Sequence, residues 1–110
     1  VRYVHFTQTI AIRSDHPDEI LQLMADWDRD QAQSDIMGFA GARLLADRED
    51  PGAYLIVARF AVVDPDVPAA EEAARNNERP ETQEWARRLR ELIDGEPVYH
   101  HYDEIYRTDQ

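Results

Sequence analysis

The stretch ARLLADREDPGAYLIVARFA, residues 42–61, decides the fold. Ala42–Arg48 and Ala53–Ala61 are two strand-like runs. Between them Glu49-Asp50-Pro51-Gly52 combines a proline that presets φ with a glycine that accepts the left-handed region, a strong turn signal. Two such runs joined by four residues read as an antiparallel hairpin. Working outward, Val1–Ile12 alternates with period two. Val4, Phe6, Gln8, Ile10 and Ile12 form an oily row with one amide in it, and Tyr3, His5, Thr7, Thr9 and Ala11 form the other row. That pattern is a strand with one buried face. Arg13–Pro17 turns the chain, with Ser14, Asp15 and His16 as capping side chains and Pro17 suited to a first helical turn. From Asp18 the period changes: Ile20, Leu23, Met24 and Trp27 lie on one face of a helix that should fade before Gly38.

Beyond the hairpin, Asp64-Pro65-Asp66-Val67-Pro68 breaks the chain. Ala69–Arg75 is a short helix by composition. Asn76-Asn77 ends it or caps the next piece, and Pro80 opens a second helix carrying Trp85, Leu89 and Leu92 on one face. Gly95 is the expected C′ stop. Val98–Tyr106 is an aromatic-rich last strand before a polar tail. The order is β-α-β-β-α-β, an α+β ferredoxin-like fold with both helical regions on one face of an antiparallel sheet. Leu45, Leu55, Val57 and Ile105 cannot all point at the helices with the opposite rows, so the sheet has two oily faces. A homodimer packing sheet against sheet, as a dimeric α/β barrel, is the expected working unit.

Composition narrows the function classes. The chain has 110 residues, one domain over 1–110, with no linker, repeat or low-complexity stretch. Its net charge of −11 argues against nucleic-acid backbones and anionic membranes, which call for clustered cations. Hydrophobic residues make up 43 %, enough for a core. No cysteine is present, so disulfides, thiolate nucleophiles and Cys-ligated metals are excluded. No apolar run reaches membrane-spanning length and no signal-peptide pattern opens the chain, so a cytoplasmic protein is expected. Asp26-x-Asp28-x-Asp30 fails as a calcium loop, having Gln31 at the sixth position and Met37 at the twelfth. No phosphate loop, hydrolase triad, metalloprotease motif or carboxylate pair appears.

Three stretches carry a family resemblance: Gly38-Phe39-Ala40-Gly41-Ala42-Arg43-Leu44-Leu45 with the hairpin to Arg59-Phe60, Asn76-Asn77-Glu78-Arg79-Pro80-Glu81, and the closing strand after Gly95-Glu96-Pro97. Together they resemble the antibiotic biosynthesis monooxygenase family of the dimeric ferredoxin-like α/β-barrel superfamily, over nearly the whole chain. The resemblance implies a cofactor-free oxygenase acting on a small aromatic or polyketide-type substrate held between sheet and helices, or a cyclase or isomerase on the same fold. Haem-degrading members place an Asn on the first strand and a Trp and an axial His in the second helical region. Gln8 falls near that Asn, Ala74 near the Trp and Trp85 near the His, and no His occurs from Gly38 to Tyr99. The axial ligand has no counterpart, so no cofactor and no metal are assigned.

The candidate residues follow from chemistry. Gln8, an amide in an apolar row, needs partners and suits a substrate carbonyl or phenol, or else a tie to backbone or water. His100 and His101 point to opposite faces of the last strand, so one can enter a pocket as general base; His100 is the first choice. His5, His101, Tyr54, Trp85 and Asn76 complete the substrate-binding set, with core, interface or surface roles as the plain alternative. Arg59, inside an apolar strand, wants a carboxylate from Asp103 or Glu104 or from a dimer partner. Arg87, Arg88 and Arg90 are the one basic cluster, with Glu84 and Glu91 in helical reach. Two functions stay open: the oxygenase, and a non-catalytic dimeric module that binds a small aromatic molecule or serves stress or assembly.

Overall fold

The computed structural model describes residues 5–32, 39–61, 66 and 68–106. Seven elements follow in order: β1 (His5–Arg13), α1 (Pro17–Ala32), β2 (Phe39–Ala46), β3 (Ala53–Phe60), α2 (Ala69–Asn77), α3 (Pro80–Leu92) and β4 (Val98–Glu104). The strands form one sheet in the order β2-β3-β1-β4, and all neighbours are antiparallel. This is the expected ferredoxin-like α+β fold. The start of the first strand at Val1–Val4, the end of the first helical stretch up to Gly38, most of the break at 64–68 and the tail after Tyr106 lie outside the described residues.

Register sets which side chains share a face. Gln8 pairs with Ala58, Ile10 with Ile56 and Ile12 with Tyr54, and this row faces the helices. Thr9 pairs with Val57 and Ala11 with Leu55, on the opposite, open face. Leu45 lies across from Leu55 on that open face and is 46 % exposed. A second apolar face therefore exists, as the two oily rows required. Among the described residues no helix is long and apolar enough to cross a membrane.

Two apolar clusters fill the helix side. The larger joins Ile10, Ile12 and Ile56 of the sheet to Ile20, Leu23 and Trp27 of α1 and to Trp85 and Leu89 of α3. The smaller seats Ala69 and Ala73 of α2 on Phe60, with Phe6 and Ala58 beside them. Small residues let α2 lie close to the strand, which is why an Ala-rich helix fits there. The two helices at this end are separated by Glu78 and Arg79, and Pro80, lacking an N–H, starts α3 where none is needed.

Turns tie the layers together. The Ser14 hydroxyl, 3 % exposed, donates to the Leu92 carbonyl at 2.6 Å and accepts from the His16 N–H at 2.9 Å. One side chain thus links the start of α1 to the end of α3. Gly52 takes φ +93° in the hairpin turn, and its carbonyl accepts from the Ser14 N–H at 3.0 Å. Gly95 also takes positive φ, but it is not the C′ stop: α3 ends at Leu92 and Ile93 is already extended, so Gly95 turns the chain into β4 instead. The last strand stops at Glu104, short of Ile105 and Tyr106.

Candidate functional site

The seam between the two apolar clusters is not filled. A cavity of about 60 Å³ remains between sheet and helices. Its floor is Gln8, Ile10, Ile56 and Ala58 of the central strands. Met24 and Trp27 of α1 wall one side, and Thr82, Trp85 and Ala86 of α3 wall another. Asn76 and Asn77, at the end of α2, close the third side, and Tyr99 of β4 stands at the edge. A volume of this size holds about two waters or the edge of one ring.

Gln8 is the decisive residue. It is 7 % exposed, and its side-chain amide has no hydrogen-bond partner among the described residues. Leaving such a group unpaired costs about 1–3 kcal/mol. Asn76, 2 % exposed, is held differently. Its Oδ1 accepts from the Arg79 guanidinium at 3.1 Å, with the Thr82 hydroxyl at 3.5 Å. Arg79 in turn lies 3.4 Å from Glu81, so the amide of Asn76 is oriented from the surface inward. Trp85 donates its indole N–H to the Leu23 carbonyl at 3.1 Å, and its ring tilts against Trp27 with centroids 5.2 Å apart. The two indoles form a rigid aromatic wall.

The cavity therefore gathers Gln8, Asn76 and Trp85 and leaves out the other candidates. His100 pairs with Thr9 and stacks on Tyr102 with centroids 6.2 Å apart, so it lies on the open face. The expectation of His100 beside Gln8 does not hold within the chain, because strand register turns His101 to that side instead. His101 is the register partner of Gln8 and stacks on Phe6 at 5.8 Å. His5 lies on the open face, where the Arg59 guanidinium approaches its Nδ1 at 3.1 Å and Glu104 stands 3.7 Å away. Glu104, not Asp103, is the carboxylate near Arg59, at 3.9 Å. Tyr54 packs against the larger cluster, away from the cavity. Thr82, Asn77 and Met24 line the cavity without having been candidates, and Tyr99, weighed among the strand tyrosines that could stack on a flat ring, lines it too. Tyr99 was legible only as one of several strand tyrosines, and Thr82 and Met24 sit at helical positions indistinguishable from core.

The charged groups lie elsewhere. Asp26 of α1 accepts from Arg88 of α3 at 2.9 Å and from Arg29 at 3.0 Å. These bonds, the Arg88 bond first and the Gln22 amide next, hold its carboxyl below the usual range. Arg87 is clasped by Glu84 and Glu91 and rises above its ordinary value. For a haem the cavity offers no axial ligand: no imidazole lines it among the described residues, and the Trp85 N–H is committed to Leu23.

No family model matches the sequence, and no curated protein matches it either. Solved structures do. The fold defines the class, an α+β ferredoxin-like domain shared with structures named as antibiotic biosynthesis monooxygenases. A conserved protein from Methanosarcina mazei Go1 superposes with TM-score 0.70 at 12 % identity, over 90 % of this chain and 91 % of that one. A provisionally named antibiotic biosynthesis monooxygenase from Nitrosomonas europaea gives TM-score 0.66 at 14 % identity, covering 96 % and 94 %. SnoaB, a cofactor-independent oxygenase from Streptomyces nogalater, gives 0.62 at 21 % identity, covering 99 % and 97 %. At these identities the likeness is one of fold.

Proposed function

We propose that this chain is a cofactor-independent monooxygenase-like enzyme of the antibiotic biosynthesis monooxygenase type, acting on a small flat aromatic substrate. The observation that carries the reading is the buried, unpartnered amide of Gln8 at the floor of an aromatic-walled cavity. A carboxamide can donate to a substrate carbonyl or accept from a phenol, and Trp27 and Trp85 stack on a flat ring. The cavity admits the edge of one ring, so the rest of the substrate extends past Tyr99, which is 40 % exposed. Likeness of fold to SnoaB supports the class of chemistry.

The reaction balances on substrate and oxygen alone. A base removes a proton from an acidic methylene beside the carbonyl or phenol. The carbanion adds O₂ and takes up the proton as a hydroperoxide, which loses water to leave a carbonyl. One CH₂ and one O₂ become C=O and H₂O, with all electrons drawn from the substrate. Gln8 stabilises the oxyanion that forms. His101, outside the cavity lining but the register partner of Gln8 on the same sheet face, takes the role of base toward the part of the substrate that extends past Tyr99. The working unit is a homodimer joined through the open sheet faces.

Oxygen uptake with anthrone as probe tests this, alongside quenching of Trp27 and Trp85 fluorescence as the readout of binding. Gln8→Ala should lose both binding and uptake, and His101→Ala should lose uptake by about 100-fold while binding persists. Binding without uptake in the wild type would favour the second reading, a non-catalytic aromatic-binding module. That reading draws on the lining itself: apart from Tyr99, no side chain lining the cavity among the described residues is ionisable. Uptake undiminished in both variants would move the site elsewhere.

A further inference from the structure

Arg79 stands between the last two helices, behind the wall of the cavity. It belongs to neither: α2 ends at Asn77 and α3 begins at Pro80. Proline holds the residue before it in extended backbone, and Arg79 takes φ −67° and ψ 139°. Its N–H donates to the Asn76 carbonyl at 3.2 Å, and its carbonyl accepts from the Gln83 N–H at 3.0 Å. The root of the side chain is therefore fixed from both sides of the turn. The side chain is only 16 % exposed, and its guanidinium reaches inward to the Asn76 Oδ1 at 3.1 Å. The Glu81 carboxylate, 3.4 Å away, is 54 % exposed, so water screens much of its charge. Arg79 does not line the cavity, whereas Asn76 does. One buried amide thus separates a permanent cation from the space where a ligand would sit.

We propose, resting on the aromatic-binding reading of this cavity, that Arg79 is a positioning residue: it orients and polarises the Asn76 amide so that a phenol is bound as its anion. A carboxamide is planar. With Oδ1 committed to Arg79, and the Thr82 hydroxyl at 3.5 Å, Asn76 meets a ligand through its N–H groups. A guanidinium on the amide oxygen strengthens those donors. Gln8, at the floor, brings a second amide to the same oxygen. The rest of the lining works the other way. Ile10, Ile56, Ala58 and the two indoles are apolar, and burial among them favours the neutral phenol. Other charges near the cavity do not decide the matter. Asp26 of α1 is tied to Arg88 and Arg29, Tyr99 is the one ionisable group of the lining among the described residues, and His101 pairs with Gln8 from outside it. The choice between phenol and phenolate therefore falls to Arg79.

A titration of the full chain with 4-nitrophenol tests this, because that probe ionises near neutrality and its anion alone absorbs in the visible. Quenching of Trp27 and Trp85 reports binding, and the absorbance of the bound probe between pH 5 and 9 reports its ionisation. The wild type should bind the anion about tenfold more tightly than the neutral phenol. Arg79→Met should reverse that preference, and Arg79→Lys, which keeps the charge, should retain most of it. Glu81→Gln removes the counter-charge from an exposed position and should tighten the anion by about twofold. It keeps the test open where Arg79→Met fails to fold. His101 titrates in the same range, so the comparison is repeated in a His101→Ala background. A preference for the anion that survives Arg79→Met, or that disappears with His101 alone, would overturn the role of Arg79 while leaving the aromatic site standing. So would a Glu81→Gln variant that binds both forms as the wild type does. A wild type whose tryptophans the probe does not quench would overturn the reading of the cavity itself.

Discussion

The role proposed for Gln8 sets stability against function at a single residue. Its amide is buried without a partner among the described residues, in a row otherwise held by Ile10, Ile12 and Phe6. Gln8→Leu keeps the volume and removes the unpaired polar group. The empty protein should then gain about 1 kcal/mol, or roughly 4–8 °C in Tm. The same change should abolish quenching of Trp27 and Trp85 by an aromatic ligand. Thermal unfolding and the fluorescence titration read the two effects separately, and a Tm that falls would mean the amide is satisfied in the folded state. The amide was visible in the sequence because it broke a period-two row. Its neighbours were less visible. Asn76 read as a helix end, and α2 does end at Asn77; what the pattern did not show is that Arg79, three residues on, steers its amide. The Trp85 bond to Leu23 joins residues 62 apart, a distance over which local pattern carries no information.

At the level of elements, specific polar contacts join α1 to α3. Ser14→Ala removes the two hydrogen bonds by which one hydroxyl joins the start of α1 to the end of α3. It should cost about 1–2 kcal/mol in urea unfolding, as loss of a cap does. The second link is Arg88 to Asp26. Because the folded carboxyl is held below its ordinary value of 3.8, its contribution is complete above that value and is lost as pH falls through the lower folded value. Arg88→Ala removes the largest cause of that lowering. The stability gap between wild type and variant should therefore be widest at neutral pH and close on acidification below pH 4. Urea midpoints between pH 6 and 2.5 check this; a gap independent of pH would show that Arg88 acts by packing alone. Most elements could be read from sequence because periodicity and turn chemistry agreed, as in residues 42–61. The face of β4 could not. Its residues are exposed on both sides apart from a half-buried Glu104, so Val98–Glu104 has no oily row. Only pairing to β1 decides that His101 joins Gln8 and His100 joins Thr9. The cross-helix pair was missed for the same reason: Arg88 had Glu84 and Glu91 in helical reach, and its actual partner comes from α1.

For the whole molecule, the uneven spread of charge matters more than its sum. The net charge is −11, yet Glu104 is the one carboxylate among the described strand residues of the open face, and it stands beside Arg59 and His5. The other face and the loops carry the excess. That distribution became visible only once register assigned each row, although the sequence already required a second oily face through Leu45, Leu55 and Val57. In the proposed homodimer two copies meet across this acid-poor side while their remaining charge repels. Taking the shortest dimension of the fold, 22 Å, as the separation of centres in such a pair gives the scale. Two charges of −11 at that distance repel by about 20 kcal/mol in unscreened water. Screening reduces this to about 10 kcal/mol at 10 mM salt and to about 1–2 kcal/mol at 150 mM. An ion pair at the interface rim contributes about 1 kcal/mol or less and weakens as salt rises. Repulsion outweighs that attraction, so salt should tighten the dimer. Sedimentation equilibrium should show the dissociation constant falling at least tenfold between 10 and 150 mM sodium chloride. A constant that rises instead would mean that attraction between charged groups holds the copies together. The contact would then have to lie on a surface richer in paired charges than the open face.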